Sequence, residues 1–254
     1  MVFKKLRNKE VIMDKCNILG VDIAVTNMDE TIKYIEGNLN ELKGNYICIS
    51  NVHTTVTSYE DDEYKKIQNG GALALPDGAP LSYVSRKRGF KEAKRVTGPD
   101  LMGEIFKISE KKGYTHFFYG STPDVIKELK KNLLNKYPNI NIKGIYSPPF
   151  KNEVTLECKS MIREFNNCDF LWVGLGAPKQ ERWMSLHKGR VNSIMIGVGA
   201  GFDYYANRIK RAPKWMQDNN LEWLYRLLQD PKRLFKRYLI TNLKFIKNAI
   251  ILGR

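Results

Sequence analysis

Two side chains are candidates for a reactive role: Asp77, which follows a short apolar segment, and Arg95, which begins the stretch that opens the next predicted helix. Asp77 lies in Pro76-Asp77-Gly78, directly after the apolar residues 72–75. A carboxylate at the end of a strand and beside a glycine can reach a substrate hydroxyl and take its proton, so Asp77 is the best candidate for a general base. Arg95 could clamp a phosphate group with two parallel hydrogen bonds. The alternatives are an ordinary turn aspartate and a solvated arginine in the basic stretch 86–95.

Glycine-rich turns suggest a phosphate-bearing ligand. Glycines follow three further apolar segments, and several of these turns lead into predicted helices, as at Gly120, Gly174, Gly176 and Gly199. Glycine lets backbone N–H groups approach a phosphate, and a helix N-terminus favours its negative charge. The pattern indicates a nucleotide or a sugar-nucleotide diphosphate, although each glycine could also serve only its turn.

Other kinds of site find little support in the sequence. Gly174 to Gly176 is not a full dinucleotide fingerprint, because Lys179 stands where the third glycine belongs. The three histidines lack metal-ligand spacing, no Asp-x-Asp pair occurs, and the four cysteines form no CxxC motif. Neither a G-x-S-x-G elbow nor a P-loop is present. We therefore expect no metal, no cofactor and reduced thiols.

The elements that must position these residues alternate along the chain. Apolar runs at 46–52, 72–75, 116–119, 140–145, 170–173 and 194–198 predict strands, and 28–42, 101–109 and 125–134 predict helices. This alternation predicts an α/β fold, a Rossmann-like, mostly parallel sheet with helices on both faces. In such sheets ligands bind beyond the carboxyl ends of the strands, where the residues above lie. We expect one domain over 1–206 and an appendage over 207–254.

The basic excess of the chain is concentrated in that appendage. The 254 residues include 42 Lys+Arg and 27 Asp+Glu, a formal charge of +15, and residues 207–254 alone hold 12 and 3 of them. A helix over 231–251 would gather six cations on one arc of about 140° and most of its apolar residues on the other side. Such a helix suits an anionic membrane interface, but its apolar side could equally pack on the domain or do both.

Composition leaves the partner of these cations open between membrane, phosphorylated substrate and nucleic acid. A nucleic-acid protein would need cations alternating with exposed aromatic residues along a groove. The sequence has no uncharged apolar run of about 18 residues, and its N-terminal stretch lacks the apolar core of a signal peptide. We therefore expect neither export nor a membrane span.

Taken in order, the motifs of the strand ends resemble the WecG/TagA/CpsF family of glycosyltransferases. The resemblance runs over about residues 18–240, and its motifs are weak singly but specific together. They are Ile49-Ser50-Asn51-Val52-His53, Leu75-Pro76-Asp77-Gly78, Arg95-Val96-Thr97-Gly98-Pro99-Asp100-Leu101, Gly174-Leu175-Gly176-Ala177-Pro178-Lys179-Gln180-Glu181, Gly199-Ala200-Gly201-Phe202-Asp203, Arg208, Ala212-Pro213 and Leu221-Glu222-Trp223-Leu224-Tyr225-Arg226.

The resemblance implies an inverting, metal-independent enzyme on the inner face of the cytoplasmic membrane. It would move a sugar, N-acetylmannosamine in several members, from a UDP donor to an undecaprenyl-diphosphate-linked acceptor in teichoic acid or surface polysaccharide synthesis. Asp77 would be the general base, and Arg95 and Gln180 would join it in catalysis. The implied substrate-binding residues are Asn51, His53, Thr97, Gly120, Gly174, Gly176, Lys179, Gly199, Asp203 (facing the uridine) and the appendage cations Arg226, Arg233 and Arg237 (on the diphosphates).

One departure from the family pattern keeps the donor sugar open. Members that make teichoic acid linkage units tend to have Thr-x-Asn-x-Glu after the first predicted strand, whereas this chain has Ile49 and His53 at the Thr and Glu positions. A UDP-hexose or UDP-hexuronate transferase of exopolysaccharide assembly is the alternative. More distant alternatives are a nucleic-acid-binding protein and an NAD-dependent oxidoreductase. We expect no nucleic acid as partner and leave the oligomeric state, homo-oligomers included, open.

Overall fold

The computed structural model describes residues 13–151 and 153–254, so most of the N-terminal stretch without a signal-peptide pattern lies outside the described residues. The strands are β1 (Lys15–Ile18), β2 (Val21–Ala24), β3 (Tyr46–Ser50), β4 (Leu73–Pro76), β5 (Thr115–Gly120), β6 (Asn141–Tyr146), β7 (Phe170–Gly174) and β8 (Ile194–Gly197). The helices are α1 (Met28–Gly37), α2 (Leu39–Leu42), α3 (Val52–Glu60), α4 (Asp62–Gly70), α5 (Ala79–Lys87), α6 (Gly98–Lys112), α7 (Pro123–Lys136), α8 (Lys159–Phe165), α9 (Lys179–His187), α10 (Gly201–Tyr205), α11 (Lys214–Asp218), α12 (Glu222–Gln229) and α13 (Pro231–Phe245), followed by a π-helical segment, Ile246–Ile251.

The eight strands form one sheet in the order β1-β2-β4-β3-β8-β7-β5-β6. Only β1 and β2 pair antiparallel in this sheet, and every other neighbouring pair is parallel. The predicted α/β fold with a mostly parallel sheet is therefore confirmed. Because β3, β4, β5, β7 and β8 run in the same direction, the turns that follow them open at one edge of the sheet.

Both faces of the sheet are covered at its centre, which explains why β3, β4, β7 and β8 are buried almost throughout. Along β7, Phe170 and Trp172 belong to one core, and Leu171 and Val173 to the other. Side chains of α1, α6, α7 and α10 complete the first core, and side chains of α3, α5, α9 and α13 contribute to the second. This alternation is the period-2 pattern of a strand buried on both sides.

Side-chain caps fix where several helices begin at the ligand-binding edge. Asn51, the residue after β3, accepts a hydrogen bond from the backbone of Thr54 and starts α3. Thr97 and Thr122 cap α6 and α7 in the same way, and a proline lies in the first turn of each. These helix N-termini are consequently directed at the open edge of the sheet.

The structure departs from the sequence prediction at three places. The strand predicted over 46–52 ends at Ser50, because the Asn51 cap turns the chain into α3. The helix predicted over 28–42 breaks at Asn38, whose side chain donates to the Tyr34 carbonyl 2.8 Å away. The hairpin β1–β2 was not predicted, because each strand has only four residues.

The tail, residues 207–254, packs some of its apolar side chains against the rest of the protein and exposes others to solvent. α13 lies against α3, and Leu234, Phe245 and Ala249 are buried. The predicted helix is correct to Phe245, after which the chain continues as the π-helical segment. Large apolar side chains on its other side stay open to solvent, at 37–71% exposure: Phe235, Leu239, Ile240, Leu243, Ile246, Ile250, Ile251 and Leu252.

Within residues 13–151 and 153–254, no helix combines the length and apolar character that crossing a bilayer requires.

Candidate active site

Asp77 lies at the ligand-binding edge, directly after β4. Its backbone N–H donates to the Ser50 carbonyl at 2.7 Å, which ties the ends of β3 and β4 together. Gly78 follows with φ of 100°, a conformation that favours glycine, and α5 begins there. Asp77 is densely surrounded by protein yet keeps part of its surface in solvent. Burial raises the pKa of Asp77 to about 7, well above its ordinary value.

Charged residues of the tail and of the preceding domain also shift the pKa of Asp77. The Glu222 carboxylate adds to the rise, as Asp100 does more weakly, whereas Arg226 and Arg95 lower the pKa of Asp77. The result is a carboxylate with a pKa close to neutrality, which is the range a general base needs.

A chain of ion pairs lies beside Asp77. The Arg95 Nη1 atom is 3.2 Å from Glu222 Oε2, and the Arg211 Nε atom is 2.8 Å from Glu222 Oε1. Arg211 also contacts both carboxylate oxygens of Asp100, at 2.9 and 3.4 Å. The Thr97 hydroxyl, which caps α6, donates to Asp100 at 2.6 Å. Thr97 therefore acts here by supporting Asp100 at the start of α6.

A second group of cations surrounds Asp203, at the start of α10. Burial raises the pKa of Asp203, and Arg226, Arg233 and Arg208 oppose the rise. The Arg226 guanidinium lies 5.5 Å from the ring centre of Tyr204, and Arg211 lies 5.4 Å from the same ring. The structure thus brings the predicted residues Asp203, Arg226 and Arg233 together, and the charge of Arg226 acts on both Asp203 and Asp77.

Arg237 and His53 meet between α13 and the first turn of α3. The pKa of His53 is lowered by burial and by the Arg237 charge. The pKa of Arg237 is lowered by burial, although Tyr238 opposes this, and by the Arg233 and Arg226 charges. His53 Nδ1 and Arg237 Nε are both buried without a hydrogen-bond partner in the described part of the chain. Two buried polar atoms at this point therefore have no protein hydrogen-bond partner among the described residues.

The Asn51 side chain caps α3 through its amide oxygen and not through its amide nitrogen. Its Oδ1 accepts from the Thr54 N–H at 3.1 Å, and its backbone N–H donates to the Thr54 hydroxyl at 2.8 Å. Across residues 13–151 and 153–254, no group accepts a hydrogen bond from Nδ2. This amide donor is consequently free at the end of β3.

Glycines let the strand ends approach one another closely. A Cβ on residue 120 would lie 2.7 Å from the Gly174 backbone, and a Cβ on residue 174 would lie 2.6 Å from the Phe202 ring. Gly176 and Gly199 adopt positive φ angles of 79° and 48°. These four predicted residues therefore share a structural requirement for glycine, whatever they bind.

Gln180 and Lys179 already have protein partners. Gln180 is buried, its Oε1 accepts from the Gly176 N–H at 3.2 Å, and its Nε2 donates to Glu181 at 2.8 Å. The Lys179 ammonium donates to the Lys151 carbonyl and lies 4.9 Å from the Phe150 ring centre. Gln180 thus holds the Gly176 turn, and Lys179 is directed at the loop after β6.

Among the described residues, no group of three or more His, Cys, Asp or Glu side chains is arranged to hold a metal ion. Cys16, Cys48, Cys158 and Cys168 are all free thiols, as expected.

Comparison with known proteins identifies the class of enzyme. The sequence profile of the WecG/TagA/CpsF glycosyltransferase family matches residues 16–252. The chain belongs to this family. A WecG/TagA/CpsF relative from Bacillus subtilis (strain 168), an N-acetylglucosaminyldiphosphoundecaprenol N-acetyl-beta-D-mannosaminyltransferase, is 33% identical over 88% of this chain and 89% of its own length. A relative of the same name from Staphylococcus aureus (strain MW2) is 29% identical over 87% of both chains.

Membership of the WecG/TagA/CpsF family makes the protein a glycosyltransferase and disfavours the dehydrogenase and nucleic-acid alternatives. Sequence reasoning did not select four residues that organise the site: Asp100, Tyr204, Arg211 and Glu222. Glu222 did carry a signal, since it is one of only three acidic residues in the basic tail. Its partner Arg95 lies 127 positions away in the sequence, so this pairing could not be read from spacing.

Proposed function

We propose that this protein transfers a sugar from a UDP donor to a saccharide linked to undecaprenyl diphosphate, in teichoic acid or surface polysaccharide synthesis. The family and the names of its mannosaminyltransferase relatives support the acceptor, and they make N-acetylmannosamine the first donor sugar to test. The observation that carries the proposal is Asp77, a carboxylate with a pKa of about 7 among the cations Arg95 and Arg226.

The reaction is a single displacement. The acceptor hydroxyl oxygen attacks the anomeric carbon of the donor while the bond from that carbon to the UDP oxygen breaks, and the electron pair leaves with UDP. Asp77 takes the hydroxyl proton. Attack from the face opposite the leaving group inverts the anomeric configuration. A base with a pKa of about 7 is about half ionised at pH 7, and its ionised fraction accepts a proton effectively.

Cationic side chains stabilise the departing diphosphate. Arg95 and Arg226 lie near Asp77, and Arg233 lies with Arg226 near Asp203. Guanidinium groups pair well with phosphate oxygens and can supply the positive charge that some transferases take from a metal ion. We therefore propose metal-independent transfer, in which chelation of divalent ions by EDTA leaves the rate within about twofold. A rate restored only by added Mg²⁺ or Mn²⁺ would contradict this.

The tail is proposed to hold the enzyme at an anionic membrane, on its cytoplasmic face. Its exposed stripe combines apolar side chains such as Phe235 and Leu243 with lysines such as Lys232 and Lys236. Apolar groups and cations on one side of a helix are the two attractions that an anionic lipid interface offers. Residues 207–254 would then form an appendage to the domain of residues 1–206 and present the site to a lipid-linked acceptor.

A donor screen tests the function directly. Purified protein is mixed with liposomes that carry N-acetylglucosaminyl-diphosphoundecaprenol, and each of UDP-N-acetylmannosamine, UDP-N-acetylglucosamine, UDP-glucose and UDP-glucuronate is offered in turn. We expect transfer from UDP-N-acetylmannosamine with inversion at the anomeric carbon, which NMR of the product reports. Transfer from UDP-glucose or UDP-glucuronate alone would replace the proposed donor by the hexose or hexuronate alternative. Transfer from none of them would reject the proposal.

A further inference from the structure

Glu222 connects the tail to the core at the proposed active site. It is the first residue of α12, and its side chain is only 14% exposed. Each of its carboxylate oxygens contacts a different arginine, Arg95 on one side and Arg211 on the other. A carboxylate shared in this way between two guanidinium groups restrains both of them.

The two arginines are not held equally firmly. Arg211 has further partners, because it contacts both oxygens of Asp100, donates to Gln217 at 3.1 Å and lies over the Tyr204 ring. For Arg95, by contrast, Glu222 is the one hydrogen-bonding or ion-pair partner within residues 13–151 and 153–254. Glu222 is thus anchored through Arg211, and the position of Arg95 depends on Glu222.

The same helix also faces the proposed base. Arg226 follows Glu222 by one helical turn, so both side chains extend from one side of α12. Asp77 experiences the charges of both. The titratable and charged groups that face Asp77 come from four parts of the chain, and they are Arg95, Asp100, Tyr204, Glu222 and Arg226.

From this geometry we infer that Glu222 is a positioning residue that fixes Arg95 beside Asp77 and thereby makes the reaction depend on the docking of α12. The inference rests on the proposed function, since it assigns Glu222 a part in the same site. Its physical content is separate from that function, because it concerns how Asp77 and Arg95 are held before any substrate binds. The raised pKa of Asp77 is consistent with it, since Glu222 is the first charged neighbour that contributes to the rise.

The test compares Glu222→Gln with the wild-type enzyme. Glutamine has nearly the same shape but carries no charge, so it releases Arg95 and removes a negative neighbour of Asp77. Loss of the Glu222 charge lowers the pKa of Asp77 and withdrawal of Arg95 raises it, but Glu222 has the larger influence of the two. We expect the acidic limb of the kcat/KM profile to move to lower pH by about one unit and KM for the UDP-sugar to rise about tenfold. Glu222→Asp keeps the charge but is shorter, so the pH limb should stay near the wild-type position while KM still rises.

Asp218→Asn is the matched control, because Asp218 is another tail carboxylate, paired with Lys214 at 2.9 Å and more than half exposed. It should change neither the pH limb nor KM. An unchanged pH limb in Glu222→Gln, with only a lowered Tm, would reduce Glu222 to a structural link and overturn the inference.

A substrate-free measurement separates this inference from the proposed function. The Asp77 carboxyl carbon is followed by NMR in protein labelled with ¹³C-aspartate and assigned by its loss in Asp77→Asn. In Glu222→Gln its titration midpoint should fall by about one pH unit. If that shift occurs while the wild-type protein transfers no sugar, the proposed function fails and the coupling stands. If transfer occurs and the midpoint does not move, the coupling fails and the function stands.

Discussion

Asp77 and Asn51 follow strands whose backbones are paired on both sides, whereas Arg226 and Arg233 reach the same site from tail helices held mainly by side chains. We call the first region the strand-end floor, meaning Asn51, Asp77, Gly120, Gly174 and Gly199. Its members are fixed by a helix cap, by backbone hydrogen bonds, by contacts too close for a Cβ at Gly120 and Gly174, and by the positive φ of Gly199.

The tail brings charged side chains to the site, and side-chain contacts rather than backbone pairing hold it there. No residue of α12 is fully buried, and this helix contacts the core through the Glu222 ion pairs and through Arg226, which lies over the Tyr204 ring. These ion pairs are largely buried, with side chains 14–26% exposed, so the tail is coupled to the floor through a few side chains rather than through backbone pairing. The comparison indicates a floor that is fixed by backbone contacts and carries the proposed base, and a tail that is docked by side chains and brings cations to it.

Asp77→Asn gives the sharpest test of the floor. Asparagine keeps the size of the side chain but cannot accept the acceptor proton, so transfer should fall by about 10²- to 10⁴-fold. The rate is measured with UDP-N-acetylmannosamine and the lipid-linked acceptor. Asp124→Asn is a matched control, because Asp124 also follows a strand end and is exposed in the first turn of α7. Near wild-type transfer by Asp77→Asn would mean that Asp77 is not the general base.

The tail is tested by removing its exposed apolar side chains rather than by truncation, which would also uncover the buried Leu234 and Phe245. In the triple variant Phe235→Ser, Leu239→Ser and Leu243→Ser, recovery with anionic liposomes in flotation should fall at least about tenfold, a loss of about 1.4 kcal/mol. Transfer to a soluble acceptor analogue should persist.

The control for the tail variant carries the same number of substitutions elsewhere. Leu134, Leu156 and Leu186 are 38–45% exposed and lie outside the tail, so changing all three to Ser should leave liposome recovery unchanged. Equal recovery of both triple variants would mean that the exposed stripe of the tail does not bind the membrane.

The floor was predictable because its parts are local in sequence. Six parallel strands were predicted at nearly their observed positions, and the helix predicted over 125–134 lies within α7. Asn51 shows where such prediction fails. From sequence alone it could belong to the strand or cap the next helix, and only its hydrogen bond with Thr54 decides between the two. Local pattern therefore predicts elements well and their ends less well.

The tail was predictable only as a basic amphipathic helix. The helical periodicity of the tail separates cations from apolar residues but does not show which apolar residues are buried. In the structure Leu234 and Phe245 are buried, whereas Phe235 and Leu243 are exposed. That division depends on where α3 lies. The Glu222 pairing with Arg95 likewise joins residues 127 positions apart, and no sequence period encodes such a contact.

A pH series tests whether the folded protein disfavours the ionised form of the Asp77 carboxyl. The native carboxyl keeps its proton up to about pH 7, whereas the unfolded chain releases it near its ordinary pKa. Between these values the unfolded state binds fewer protons, so raising the pH from 4 to 7 lowers the free energy of unfolding. Removing this titration in Asp77→Asn should make the variant more stable than wild type at pH 8, by about 1–3 kcal/mol.

Denaturant unfolding of both proteins at several pH values provides the measurement, and only the difference between them is interpreted, because other groups titrate in the same range. His53, for example, has a lowered pKa in the folded state and so shifts stability in the opposite direction as pH rises. A difference that stays constant from pH 4 to pH 8 would mean that the floor does not raise the pKa of Asp77.

The smallest effect is expected at Asn51, where helix capping and ligand binding can be separated. Asn51→Ser keeps an oxygen that can cap α3 but loses the free Nδ2 donor, so Tm should change by less than about 2 °C while KM for the UDP-sugar rises about three- to tenfold. Asn51→Ala loses the cap as well, which should lower stability by about 1 kcal/mol and Tm by about 2–4 °C. If Asn51→Ser leaves KM unchanged and only Asn51→Ala has an effect, Asn51 belongs to the floor as a helix cap alone, and the sugar finds its hydrogen bonds elsewhere.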